Sequence, residues 1–146
     1  MSSSSATRLL AIDFGLRQIG IAVGNALLGT TQPLCVLSAR DGQPDWTQLQ
    51  ALLKEWQPDL VVVGDPLHMD GSVSELAQRA RRFARRVHGR FGVEVVMMDE
   101  RLTSFDVKTR ERDLGHDGDY QRHPVDSLAA ELILRDWLNQ RGDVSG

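Results

Sequence analysis

Residues 60 to 64, LVVVG, form a run without a single polar side chain. A strand facing water on one side alternates polar and apolar residues. An unbroken apolar run instead fits a strand covered on both faces, as in a parallel sheet with helices above and below. The flanks agree with this. Upstream, Asp45 is placed to cap a helix ending near Trp56, with Trp46, Leu49, Leu52, Leu53 and Trp56 as its buried stripe. "QPD" then breaks the chain before the strand. Downstream, Ser72 and Glu75 form an S-x-x-E capping box, which predicts a helix to about His88. Its apolar face is Leu76, Ala80, Phe83, Ala84 and Val87, with arginines on the other side.

The rest of the chain extends the pattern. RLLAID (8 to 13) and QIGIAVG (18 to 24) read as two strands joined by a short glycine-containing turn, and 33 to 38 as a third. FGVEVVMM is the next strand, ending at Asp99 and Glu100. Thr103 is placed to cap a short helix to Leu114, and GHDGDYQRH is a glycine-rich, charged loop. Pro124 suits the first position of a final helix carrying Leu128, Ala129, Leu132, Ile133 and Trp137. Three strands, helix, strand, helix, strand, helix make an α/β domain with a hairpin-rich first half and crossovers in the second. At 146 residues, with no internal repeat, the reading is one domain over 8–141. Residues 1–7 are expected to be a disordered tail and 142–146 a C-terminal tail.

Composition narrows the function. No apolar stretch approaches the roughly 20 residues of a membrane helix, and MSSSSATR has no apolar signal core. The single cysteine, Cys35, excludes an internal disulfide and fits a reducing, cytoplasmic setting. Its apolar neighbours suit a buried thiol better than a Cys/His nucleophile. The net charge of −3 argues against a broadly basic coat. Residues 76 to 92 nevertheless hold Arg79, Arg81, Arg82, Arg85, Arg86 and Arg90 with no acid among them, a patch compatible with a nucleic-acid partner. No P-loop, G-x-G-x-x-G or G-x-S-x-G is present, and the four histidines lack metal-ligand spacing.

Three carboxylates stand at element ends. Asp13 closes an apolar strand, where acids are rarely buried alone. Two readings are open: an acid supporting the following turn, or a rigidly held cation ligand beside Gly15 and Gly20. Asp99 and Glu100 close another apolar strand, so one of the two should point with the core-facing residues; the other reading is a solvated end paired with Arg101. Asp126 lies in the first turn of the last helix, where it complements the dipole. Spacings of four, three and four link it to Ala130, Ile133 and Trp137, on the face expected to meet the sheet. A carboxylate cluster without His or Cys prefers Mg²⁺ or Mn²⁺ to zinc. Two such ions about 4 Å apart can activate water and stabilise a leaving oxygen.

Together, AIDFGLRQIGIAVG, VVGDPLHMDG, DERLTS and VDSLAAELILRDWL resemble the YqgF (RuvX) family over roughly residues 8 to 140. The resemblance implies a ribonuclease H-like fold, with a mixed five-stranded sheet whose first three strands are antiparallel, flanked by helices. It also implies metal-dependent phosphodiester hydrolysis on RNA, maturing the 5′ end of 16S rRNA in the cytoplasm, with four-way DNA junctions as the alternative substrate. On this basis Asp13, Glu100 and Asp126 match the family's catalytic acids and metal ligands. Arg17 and Arg101 match the basic residues beside those motifs, for which phosphate contact is the functional reading and local salt bridging the other. Arg82 and Arg86 are further nucleic-acid candidates on the arginine helix. Two departures stand out. YQRHPVD replaces a lysine-rich stretch, leaving Arg122 to substitute. Asp65 stands where the family carries an apolar residue; it is a candidate fourth acid, against the alternative of a solvated turn residue. A non-catalytic rRNA-binding assembly factor and a nucleotide-binding module are the readings from other classes. The expected oligomeric state is a monomer or weak dimer.

Overall fold

Val61, Val62 and Val63 are each completely buried, because their strand is covered on both sides. The computed structural model describes residues 7–100 and 125–145. The expected helix after Thr103 and the charged loop that follows lie outside the described residues, as do Arg101 and Arg122.

The sheet has strands β1 (Arg8–Asp13), β2 (Gln18–Asn25), β3 (Thr30–Arg40), β4 (Gln43–Pro44), β5 (Leu60–Asp65) and β6 (Val95–Asp99), in the order β4-β3-β2-β1-β5-β6. β1, β2 and β3 are antiparallel in sequence, as expected, and β5 and β6 run parallel to β1. The sheet has six strands where five were expected. The extra strand is the two-residue β4, which pairs with Ala39 and Arg40 after a turn at Gly42, whose φ is 83°. β3 also begins three residues earlier than expected. Pro33 would interrupt a regular ladder, and a bulge absorbs it: Ile21 pairs with Cys35 and Ala22 with Pro33, skipping Leu34.

Three helices are described: α1 (Trp46–Trp56), α2 (Glu75–Phe91) and α3 (Val125–Ser145). Asp45 caps α1 as its sequence suggested, its side chain accepting from the Thr47 N–H at 2.9 Å. The start of α2 differs from the expected capping box. Ser74, not Ser72, is the cap, accepting from the Ala77 N–H at 2.9 Å, while Ser72 donates to Asp70 at 2.6 Å within the loop. This start sets the helix phase, so Ala77 is buried and Leu76 is exposed. α2 also runs nearly one turn past His88 before Gly92 ends it in the left-handed region, at φ 70°.

Alternation along the strands splits the core into two. Leu10, Ile12, Ile21, Val61 and Val63 face α1 and α2. Leu9, Ala11, Ala22, Leu60, Val62 and Met98 face Ala130, Ile133 and Leu134 of α3. On β2 the α3 side is small from Gly20 onward, with Gly20, Ala22 and Gly24. A Cβ on Gly24 would come within 2.8 Å of Leu134 Cδ2, so the missing side chain is what lets α3 lie against the strand. The N-terminal end of β1 is tied down as well. The Thr7 carbonyl accepts from the Ala26 N–H at 2.7 Å, and the Asp59 carboxylate accepts from the Thr7 and Arg8 N–H groups at 3.0 and 2.9 Å. Those backbone hydrogen bonds, Arg8's first, hold Asp59 below the usual carboxylate range.

Candidate active site

Asp13 is the last residue of β1 and is only 5% exposed. Leu9 and Ala11 lie four and two residues before it and face α3, so alternation puts Asp13 on that same face. Gly20 of β2 is its direct partner across the antiparallel pair. Ile12 pairs with Val63, so Asp13 stands level with Gly64 of β5, one strand spacing of about 4.8 Å away.

Glu100 follows the end of β6 and is 6% exposed. Its carboxylate lies over Gly64. A Cβ built on Gly64 would run into Glu100 Oε2 and would sit 3.0 Å from Glu100 Cδ and 2.8 Å from Ile133 Cδ1 of α3. Gly64 therefore provides a bare backbone shelf. Glu100 occupies it from one side, and Asp13 stands beside it on the next strand. Of the adjacent acids Asp99 and Glu100, it is Glu100 that turns towards the α3 side.

Asp126 lies in the first turn of α3 by its backbone. Seven residues, two turns of helix, separate it from Ile133, which touches the same shelf. Its side chain is outside the described residues. Among the described residues no three His, Cys, Asp or Glu side chains cluster closely enough to hold a metal ion. The donors that the described residues bring to the shelf are carboxylates, and hard oxygen donors of this kind suit Mg²⁺ or Mn²⁺.

Asp65 is placed differently. It alternates with Val61 and Val63, so it faces α1 and α2 rather than the shelf. There Arg81 of α2 grips it, with Nη2 to Oδ2 at 2.8 Å and Nε to both oxygens at 3.2 and 3.3 Å. It is neither a solvated turn residue nor beside Asp13: it is buried and ion-paired. The carboxylate in turn raises the Arg81 guanidinium above its ordinary value, chiefly through these hydrogen bonds. Removing only the cation strands a buried charge, whereas removing both partners does not. Arg81→Leu is therefore expected to lower the melting temperature, and Asp65→Leu combined with Arg81→Leu to recover most of it. Thermal melts of the two single variants and the double variant check this.

Arg17 is exposed in the β1–β2 turn, four residues beyond Asp13, and has no ion pair among the described residues. Arg82 and Arg86 are exposed on α2, on the opposite side of the sheet from the shelf. Cys35 is half-buried in β3. Burial first, and then the Glu55 charge, push its thiol above the ordinary range, the reverse of what a nucleophile needs.

Sequence reasoning missed Gly64, because its role depends on a side chain arriving from the end of β6, and missed the Asp65–Arg81 pair. An arginine amid an otherwise solvated run, on the helix after a buried-strand acid, was the only available signal for the pair.

Solved structures share this architecture. T. thermophilus RuvC in complex with Holliday junction substrate has a TM-score of 0.53 and 17% identity, covering 92% of this chain and 96% of that chain. A second T. thermophilus RuvC structure has a TM-score of 0.52 and 16% identity, covering 91% and 96%. The fold is thus ribonuclease H-like, an α/β mixed sheet with helices on both faces. A family model described as "RuvX: Holliday junction resolvase" matches residues 7–140, and the chain belongs to that family. A relative from Azotobacter vinelandii is 54% identical over 133 residues, covering 91% of this chain and 94% of its own. One from Pseudomonas aeruginosa is 50% identical over 144 residues, covering 98% and 100%. Both carry the name "Putative pre-16S rRNA nuclease". The chain is a hydrolase acting on ester bonds. No described helix is long and apolar enough to cross a membrane.

Proposed function

We propose that this chain is a divalent-metal-dependent nuclease that hydrolyses phosphodiester bonds of RNA and processes the 5′ end of pre-16S rRNA in the cytoplasm. The observation that carries the reading is the shelf at Gly64, where Asp13 and Glu100, from the ends of the two strands flanking β5, bring two buried carboxylates to one spot. Carboxylates gathered at one buried spot are an oxygen-donor set of the kind that hard divalent cations take. With Asp126 as third ligand they would hold Mg²⁺ or Mn²⁺, and the ions would supply water activation and leaving-group stabilisation.

The chain's own contribution is rigidity and charge placement. β1 and β5 are buried on both faces, so Asp13 and the Gly64 shelf hold their positions. Arg17 stands exposed at the same end of the sheet, where its guanidinium can fork onto a phosphate next to the one being cut. Arg101 and Arg122 take the same role by their place in the sequence.

The substrate assignment rests on the names of the relatives. A second reading, four-way DNA junction cleavage, is favoured by the family's description and by the RuvC neighbour bound to a Holliday junction. One experiment separates the readings. The protein is incubated with 16S rRNA carrying its 5′ extension and with a four-way junction, each under chelation and with added Mg²⁺ or Mn²⁺. The proposal expects metal-restored cleavage of the precursor and little of the junction. Metal-independent cleavage, or turnover of the junction alone, overturns it. Tight rRNA binding with no cleavage under any metal points to a non-catalytic assembly factor.

A further inference from the structure

Six arginines fall on α2, and the structure sorts them. Arg79 is held by Asp41 at 2.8 Å and lies 3.8 Å from Glu75. Arg81 is held by Asp65 at 2.8 Å. Arg90 stacks over the Trp46 ring at 4.3 Å from its centroid. Three are thus engaged in holding the protein together. Arg82, Arg85 and Arg86 remain exposed, with no ion pair among the described residues.

Two of these three share a groove. Arg82 and Arg86, one helical turn or about 6 Å apart along the axis, line a cleft of about 300 Å³ together with Phe14, Gly42, Gln43, Gln78 and the Arg79 group with its acids Asp41 and Glu75. Arg85 does not line it. The floor of the cleft is joined to the candidate active site: Phe14 is the residue after Asp13, and alternation turns its ring to the α2 side, where it packs on Phe83 at 5.2 Å. One end of the groove therefore begins where β1 delivers its acid, while Arg82 and Arg86 lie on the far side of the sheet from the Gly64 shelf. Both acids of the cleft lie against Arg79, so Arg82 and Arg86 leave it net positive on a chain of net charge −3, which favours a polyanion. A cleft of about 300 Å³ has room for a short stretch of one strand's backbone.

We propose that this groove carries the phosphodiester backbone of a single nucleic-acid strand leading away from the acids, around the end of β1. The strand is thereby gripped on the face opposite the reaction. Where the strand starts rests on the active-site reading, but the grip on it stands independently of cleavage. The consequence is a length requirement: a short oligonucleotide can occupy the shelf or the groove, and only a longer one both.

The test is binding, measured by fluorescence anisotropy under chelation so that no cleavage occurs. Labelled single-stranded RNAs of about 4 and about 16 nucleotides are titrated at several salt concentrations. Each phosphate that a guanidinium no longer neutralises should flatten the slope of log K against log salt by about 0.7 on a single strand. The double variant Arg82→Ala/Arg86→Ala is expected to flatten it by about 1.4 on the longer RNA, and Arg85→Ala to leave it unchanged. Equal slopes for wild type and the double variant overturn the proposal. So does an equal fall with Arg85→Ala, which would mean a diffuse basic face rather than a groove. So does no binding of RNA at all. A slope change in a protein that cleaves nothing would leave the groove standing and sink the nuclease reading.

Discussion

Asp13→Asn is expected to reduce metal-dependent hydrolysis by about 10³-fold or more while leaving the fold in place. The substitution keeps shape and volume and removes one negative charge. Hard divalent cations are held by carboxylate charge more than by neutral carbonyl oxygens. Loss of a ligand that contributes several kcal/mol of transition-state charge stabilisation corresponds to about three decades in rate, at about 1.4 kcal/mol per decade. β1 is anchored by Leu10 and Ile12 on one face and by Leu9 and Ala11 on the other. The measurement is single-turnover cleavage with saturating Mg²⁺ or Mn²⁺, alongside a thermal melt and far-ultraviolet circular dichroism. Asp65→Asn provides the contrast. It lies on the other face, held by Arg81, so it is expected to lower the melting temperature and to retain cleavage per folded molecule. Full activity in Asp13→Asn would remove it from the site, and loss of activity in folded Asp65→Asn would bring that acid back into consideration.

The contrast also marks where the sequence stopped being informative. The layered architecture followed from periodicity: an all-apolar run flanked by two amphipathic helices has few ways to bury itself, and the α1 cap and stripe are where Asp45 and Leu49 place them. The same all-apolar character hid the position of Asp65. In a half-exposed strand the polar residues reveal which face is which; in LVVVG both faces are buried, so nothing local says which of Gly64 and Asp65 points towards α3 and which towards α1 and α2. Pairing register decides it, and register depends on β1 and β6. The start of α2 was ambiguous for a different reason. Ser72 and Ser74 can both cap a helix, and tertiary structure chose between them, since the Ser74 hydroxyl also donates to the Pro66 carbonyl at 2.7 Å. β4 is two residues long and carries no periodic signal at all.

Gly64 is the clearest consequence of that register. Gly64→Ala is expected to destabilise the protein by about 1 to 3 kcal/mol, the usual range for overpacking, and to lower cleavage beyond what the stability loss explains. The added methyl would strike Glu100 Oε2 and approach Ile133 Cδ1 to 2.8 Å, so either the acid leaves the shelf or α3 lifts from the sheet. The first movement separates Glu100 from Asp13, and the second shifts the first turn of α3, where Asp126 stands. Gly24→Ala separates this effect from simple crowding. Its methyl would meet Leu134 Cδ2 and the Thr30 carbonyl oxygen, each at 2.8 Å, beside Asn25 and away from the Gly20 end of β2. The two variants should therefore lose comparable stability, and only Gly64→Ala should lose activity measured per folded molecule. Thermal melts paired with single-turnover rates at a temperature well below both transitions make the comparison. Equal rates in the two variants would show that Gly64 serves packing alone and that the position of Glu100 over it is incidental to the chemistry.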